Sequence, residues 1–143
     1  MISFPSLEFF QALQARMREK QELFQRLGYF DTTFGVRVLD NGGAHSFILG
    51  FEVFENVRVE QVGAIEQAAV DFVLEGPLGV WREMLDNIRR NRGADAAHSL
   101  NTLTHFGESL RSVYLDPDAH DKMYRFAESI QQYFNLAAEV DLA

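Results

Sequence analysis

Hydrophobic positions recur every three or four residues from Ser6 to Leu27. Leu7, Phe10, Leu13, Met17, Phe24 and Leu27 share one helical face, and Arg16, Arg18, Glu19, Lys20 and Glu22 form a solvated one. Ser6 is a fitting N-cap and Gly28 a stop, so one long helix is predicted over 6–27. The period then falls to two. Phe34, Val36 and Val38 alternate with Gly35 and Arg37, and Phe47, Leu49, Phe51 and Val53 alternate with Ile48, Gly50 and Glu52. Between them Asp40-Asn41-Gly42-Gly43 supplies positive φ angles cheaply, so Thr32–Leu39 and Ser46–Val53 are predicted to pair as an antiparallel hairpin. Val57 and Val59 mark a third strand. Ala68–Glu75 reads as a fourth, with Val70, Phe72 and Leu74 pointing one way. One face of this sheet is expected to be buried and the other wetter.

Gly76-Pro77 ends the fourth strand, and Pro77 can open a helix. Val80, Trp81, Met84, Leu85 and Ile88 make the apolar stripe of that helix, which ends near Arg89-Arg90-Asn91. Asn91–Ala97 is a loop. Ser99–Phe106 reads as a short helix closed by Gly107, and Leu110–Leu115 as a fifth strand. Asp116-Pro117-Asp118 precedes a last helix carrying Met123, Phe126, Ala127, Ile130 and Phe134 on one face. Residues beyond about Leu136 are expected to fray. Grouped hairpins with helices at both ends indicate an α+β fold, with a mainly antiparallel five-stranded sheet covered by helices in one domain over 1–143.

Charge narrows the function. Thirteen Lys and Arg against 21 Asp and Glu leave a net charge of −8, which repels phosphate backbones and anionic headgroups. Nucleic acid is therefore not an expected partner. The chain has no cysteine, which removes thiolate nucleophiles, disulfides and Cys-based metal sites. No run approaches about 18 apolar residues and the start has no basic flank, so integral membrane association is not expected and a cytoplasmic protein is.

The familiar chemical signatures are missing too. There is no phosphate loop, dinucleotide fingerprint, H-E-x-x-H or nucleophile elbow, so no cofactor is expected. His98 and His105, seven apart, would lie about 10 Å apart along one helix, too far to share an ion. His120 with Asp116, Asp118 and Asp121 is explained by capping and solvation. No metal is expected. Ser99 and Thr102 near His98, His105 and Asp95 form a loose grouping that a capped polar loop explains as well. Glu52, Glu60, Asp71 and Glu75 fall on the wetter strand face. No catalytic residue is assigned.

What remains is apolar surface. Phe occurs 13 times against four Tyr and one Trp. Phe needs no buried hydrogen-bond partner, so it suits a dry wall, whether of a core or of a ligand cavity.

The stretch Asp71-Phe72-Val73-Leu74-Glu75-Gly76-Pro77-Leu78-Gly79-Val80-Trp81-Arg82-Glu83-Met84-Leu85 resembles bacterial sterol-carrier-protein-2-like (SCP2-like) domains. Those place a strand, a Gly-containing turn, a Trp and an apolar helix in this order. The layout of the remaining elements is similar over roughly Thr32–Leu136, and the helix 6–27 takes the family's leading position. Two departures stand out. Leu115-Asp116-Pro117-Asp118 follows the last strand where the family often has a Gly-Asp-like turn, and Val140-Asp141-Leu142-Ala143 is no peroxisomal S-K-L-type address.

The resemblance implies a non-enzymatic carrier of a sterol, fatty-acyl or other hydrophobic molecule. Its ligand would lie in an apolar pocket, on the order of hundreds of Å³, between the sheet and the Trp81 and Phe126 helices. Candidate lining residues are Phe34, Phe47, Leu49, Phe51, Phe72, Leu74, Trp81, Leu85, Met123, Phe126, Ile130 and Phe134. Two alternatives stay open. One is a small cone-shaped enzyme of the nuclear-transport-factor-2-like kind, using a pocket group such as His105 or Asp71. The other is an accessory subunit whose apolar face meets another chain, a homodimer included.

Overall fold

The computed structural model describes residues 1–105 and 109–142, with only the backbone at residue 105. The predicted closure of the short helix at Phe106-Gly107 lies outside the described residues. The leading helix starts as its cap predicts, Ser6 Oγ accepting from the Phe9 N–H at 3.0 Å. It is two helices, however, α1 (Leu7–Glu19) and α2 (Gln21–Leu27), with a turn at Lys20. The turn lets α1 lie on one edge of the sheet while α2 reaches a later helix.

Strands β1 (Thr32–Asp40) and β2 (Gly43–Glu52) form the predicted hairpin. Asn41 and Gly42 take φ of 48° and 81°, as a two-residue turn of this hand requires. Strand β3 (Glu55–Val62) continues the meander, and β4 (Phe72–Pro77) and β5 (Arg111–Val113) complete the sheet in the order β3-β2-β1-β4-β5. The sheet is mixed. β4 runs parallel to β1, because residues 63–71 carry the chain across to the far side of β1. Three of the four neighbouring strand pairs are antiparallel.

The fourth strand starts later than its alternation suggests. Residues 67–69 form a 3₁₀ turn, and Asp71 fixes the entry: its N–H donates to Thr33 O at 2.7 Å, and its carboxylate accepts from Thr32 Oγ1 at 2.6 Å. Val70 consequently joins Ile48, Ile65 and Val73 on the opposite face from Phe72 and Leu74. Ile65 covers Gly35 there; a Cβ at that glycine would sit 2.7 Å from Ile65 Cδ1. The expected wetter face is thus partly dry.

On the inner face Phe51, Phe34 and Phe72 stack across three strands, with ring centroids 5.5 and 5.1 Å apart and planes within 10°. The parallel register sets Phe34 beside Phe72. Helices cover this face: α3 (Leu78–Asn91), α4 (Leu100–His105), α5 (Pro117–Arg125) and α6 (Ala127–Asn135). The predicted last helix is therefore two, divided at Phe126 with φ −109° and ψ 19°. The C-terminal residues as far as Leu142 do not fray. Leu136, Ala137, Val140 and Leu142 are buried, and Ile2 donates its N–H to Asp141 O at 2.8 Å. Apolar burial against α1 and α3 holds them.

One turn is strained. Val53, between β2 and β3, has φ 59°, a region that costs a β-branched residue roughly 1–3 kcal/mol. Val53 is 44% exposed, so only part of its side-chain burial is at stake. Val53→Asn is expected to raise stability by about 1 kcal/mol, read as a rise of about 3–4 °C in Tm. An unchanged or lower Tm would contradict the strain.

Candidate functional site

An open cleft of about 510 Å³ lies between α4, the α5–α6 junction and Leu74 of β4. Its floor is apolar: Leu74, Leu100, Met123 and Ile130 are all buried. Asn101, Arg125, Ala127 and Glu128 form an exposed rim. The rim charges are engaged, Arg125 with Asp121 at 3.2 Å and Glu128 with the Gln132 amide at 3.0 Å. A second cavity of about 590 Å³ adjoins the cleft through Thr104, Met123 and Tyr124, and is lined further by Leu110, Ser112 and His120.

A chain of amides fixes the wall. Gln131 Oε1 accepts the Leu100 N–H at 2.7 Å, and its Nε2 donates to Asn135 Oδ1 at 2.9 Å. Asn135 Oδ1 also accepts the Ala94 N–H at 3.2 Å, so residues 94–100 are stapled to α6. Gly76 sets the spacing of β4 and the segment before β5. A Cβ there would collide with the Leu110 side chain, so only glycine lets the segment before β5 come this close.

Of the twelve candidate lining residues, Leu74, Met123 and Ile130 border the cleft. Phe34, Phe47, Leu49, Phe51, Phe72, Trp81 and Phe134 sit in the packed core with 2% exposure or less. Leu85 borders a separate crevice of about 60 Å³ with Phe4, Arg82 and Leu142. Phe126 is half-buried at the helix junction, its ring 5.6 Å from Phe30. The Trp81 indole packs on Phe134 at 5.8 Å, with no partner for its N–H among the described residues. Leu100 and Gln131 also line the cleft, as does Ala127 from the apolar face of the last predicted helix. Leu100 opens a helix too short for a periodic stripe, and Gln131 reads as solvent-facing.

The Ser99–His98–Asp95 grouping resolves into a structural clamp. His98 Nδ1 lies 2.7 Å from Asp95 Oδ1, and Nε2 lies 3.4 Å from Glu83 Oε1. Carboxylates only accept, so the protonated imidazole, with a donor on each ring nitrogen, is the form that satisfies both contacts. Asp95 in turn holds Asn87 at 2.9 Å and caps the His98 N–H at 3.0 Å. The hydrogen bond to Asp95 raises the His98 pKa; the bonds from His98 and then Asn87 lower that of Asp95. Ser99 Oγ turns instead to Thr102 Oγ1 at 3.1 Å.

This clamp has a pH signature. A raised His98 pKa stabilises the fold fully below the unfolded value of about 6.5 and loses that contribution as pH rises through the folded value. Asp95, depressed, contributes above about 3.8 and loses its contribution on acidification. The stability gap between the wild type and His98→Gln is thus expected to be widest between those values and to close toward alkaline pH. Urea melts across pH check it; a gap that widens toward alkaline pH would contradict it.

Asp71 lies outside the cleft lining, tied to Thr32 and to Lys122 at 3.4 Å. Among the described residues no three His, Asp or Glu side chains converge to hold a metal, and no helix is long and apolar enough to cross a membrane.

No protein-family model matches the sequence, and no curated protein matches it. Solved structures do match in fold. A conserved hypothetical protein of Thermus thermophilus, described as a candidate sterol carrier protein, superposes with TM-score 0.70 at 17% identity over 95% of this chain and 88% of that one. Sterol carrier protein 2 superposes with TM-score 0.69 at 15% identity, over 94% and 96%. A sterol carrier protein domain of Helicoverpa armigera gives 0.51 at 12%, over 95% and 90%. The mixed five-stranded sheet with its inner face under helices is an SCP2-like fold, and this chain adopts it.

Proposed function

We propose that the chain holds an elongated, lipid-like ligand in the α4/α5–α6 cleft and shields it from water without a chemical step. The observation that carries this reading is the buried apolar floor of Leu74, Leu100, Met123 and Ile130 opening to solvent within an SCP2-like fold. Each Å² of apolar ligand surface removed from water contributes about 25 cal/mol, so an acyl chain or sterol ring system is retained by area alone. The engaged rim charges leave orientation to shape and a few hydrogen bonds. A sterol, a fatty-acyl chain and related hydrophobic molecules all meet this requirement. Of the twelve candidates, Leu74, Met123 and Ile130 are the contacts this reading keeps.

Ala127 offers the cleanest test, because it lines the cleft yet is exposed. Ala127→Trp fills the cleft without displacing core side chains. The wild type is expected to take up a polarity-sensitive fatty-acyl or sterol probe, and the variant to bind it at least about tenfold more weakly, a loss of about 1.4 kcal/mol, with Tm nearly unchanged. Native mass spectrometry of freshly purified protein would report co-purified lipid and subunit number together. No uptake by the wild type, or equal uptake by both, would reject this cleft as the site.

A further inference from the structure

Helix α5 separates the cleft from its neighbouring cavity, since Met123 and Tyr124 line both. Among the described residues Met123 is the side chain it buries, and it is bounded at each end, by the Asp116 cap before Pro117 and by Phe126 after Arg125. Lys122 and His120, among the described residues, tie it to the sheet side. Lys122 reaches Asp71 at 3.4 Å, and His120 Nε2 lies 2.7 Å from Ser112 Oγ on β5. The His120 ring stacks on Tyr114 at 3.8 Å with planes 10° apart, and its neighbours edge-on are Tyr124 and Phe72.

We propose that α5 is a lid on the cleft, hinged at Phe126, which the His120–Ser112 contact latches and proton uptake by His120 releases. Inside the aromatic slot an imidazolium loses hydration that it regains once the helix swings out, so the proton favours the open position. Burial accordingly lowers the His120 pKa, with the Asp121 carboxylate opposing. The other charged groups near the slot, among the described residues, come in pairs or cap the helix. Lys122 is held by Asp71, Arg111 approaches Glu75 at 4.0 Å, and Asp116 and Asp118 stand at the helix start. The latch belongs to the free chain; only its use in loading rests on the lipid-binding reading.

Hydrogen exchange followed by mass spectrometry, corrected for intrinsic rates, tests it on the full chain without ligand. Between about pH 7.5 and 5.5 the α5 amides are expected to lose protection while α3 and α6 keep theirs, by at most about tenfold for each unit separating the latched and free His120 pKa values. His120→Gln, which cannot take up the proton, should abolish this pH dependence, and an NMR titration of the His120 ring should follow the same midpoint. Equal losses in α5 and α6, or a His120→Gln chain that opens with acid as the wild type does, would overturn the lid. Faster uptake of the acyl probe at the lower pH is the linked expectation. If exchange behaves as described and no probe binds at either pH, the latch stands and the lipid reading falls.

Discussion

Phe72→Ala should cost about 3–5 kcal/mol, a large share of the roughly 5–15 kcal/mol that holds a domain of this size. Phe72 is fully buried at the end of the Phe51–Phe34–Phe72 stack, so truncation leaves a void on the inner face of the sheet, where the parallel pairing of β1 and β4 holds the backbone in place. Neighbouring rings cannot collapse into that void without breaking their own offset contacts. Phe72→Leu, which keeps most of the volume, should lose far less. Urea unfolding of the three proteins measures the difference, with unchanged m-values marking a folded-state effect. A loss below about 1 kcal/mol for Phe72→Ala would mean the ring already borders a void, and would return Phe72 to the wall of a cavity.

That distinction was invisible to periodicity. Phe34, Phe51 and Phe72 point inward as Leu74 does, and period two assigns them all to one face. Which of them meets open space depends on what the helices bring, and α3 and α6 seal the Phe134 and Trp81 side while α4 and α5 leave the Leu74 side open. Turn chemistry was more legible: Asn41-Gly42 allows the tight hairpin almost alone, and the register of β1 on β2 follows. Strand direction was not, because alternation reads the same in both directions. The parallel β4 is a consequence of the 63–71 crossover, whose anchors, Ile65 over Gly35, Val70 beside it and the Asp71 hydrogen bonds to β1, follow no period. The C-terminus carried a signal that polar neighbours masked: Leu136, Ala137, Val140 and Leu142 recur at short intervals and are buried together. Gln131, which sets the cleft wall, has no sequence signature, since an amide bridging two backbone segments looks like any exposed glutamine.

Alkaline unfolding should single out Tyr133. Its ring is fully buried, edge-on to Phe51 at 4.9 Å, and its hydroxyl donates to Asn56 Oδ1 at 3.0 Å. Asn56 is itself buried and spends its Nδ2 on the carbonyls of Gly50, at 2.9 Å, and Arg58, at 3.0 Å, closing the irregularity between β2 and β3. A phenolate here would face the Asn56 carbonyl oxygen in a dry site, so burial pushes the Tyr133 pKa well above 10. The unfolded chain releases this proton near pH 10 while the folded chain keeps it. The folded state then binds more protons, and stability falls as pH rises, by about 1.4 kcal/mol per unit. In Tyr133→Phe that dependence is gone, although the lost hydrogen bond leaves Asn56 Oδ1 unpaired at a cost of about 1–3 kcal/mol near neutrality. Tyr29, Tyr114 and Tyr124 are exposed and present in both proteins, so they cancel in the comparison. The wild type should therefore start more stable, and its advantage should shrink above about pH 10 and then reverse. Urea midpoints of the two proteins from about pH 8 to 11 measure this. A difference that stays constant over that range would show that the Tyr133 site admits water, and that the Asn56 link does not seal α6 against β2 and β3.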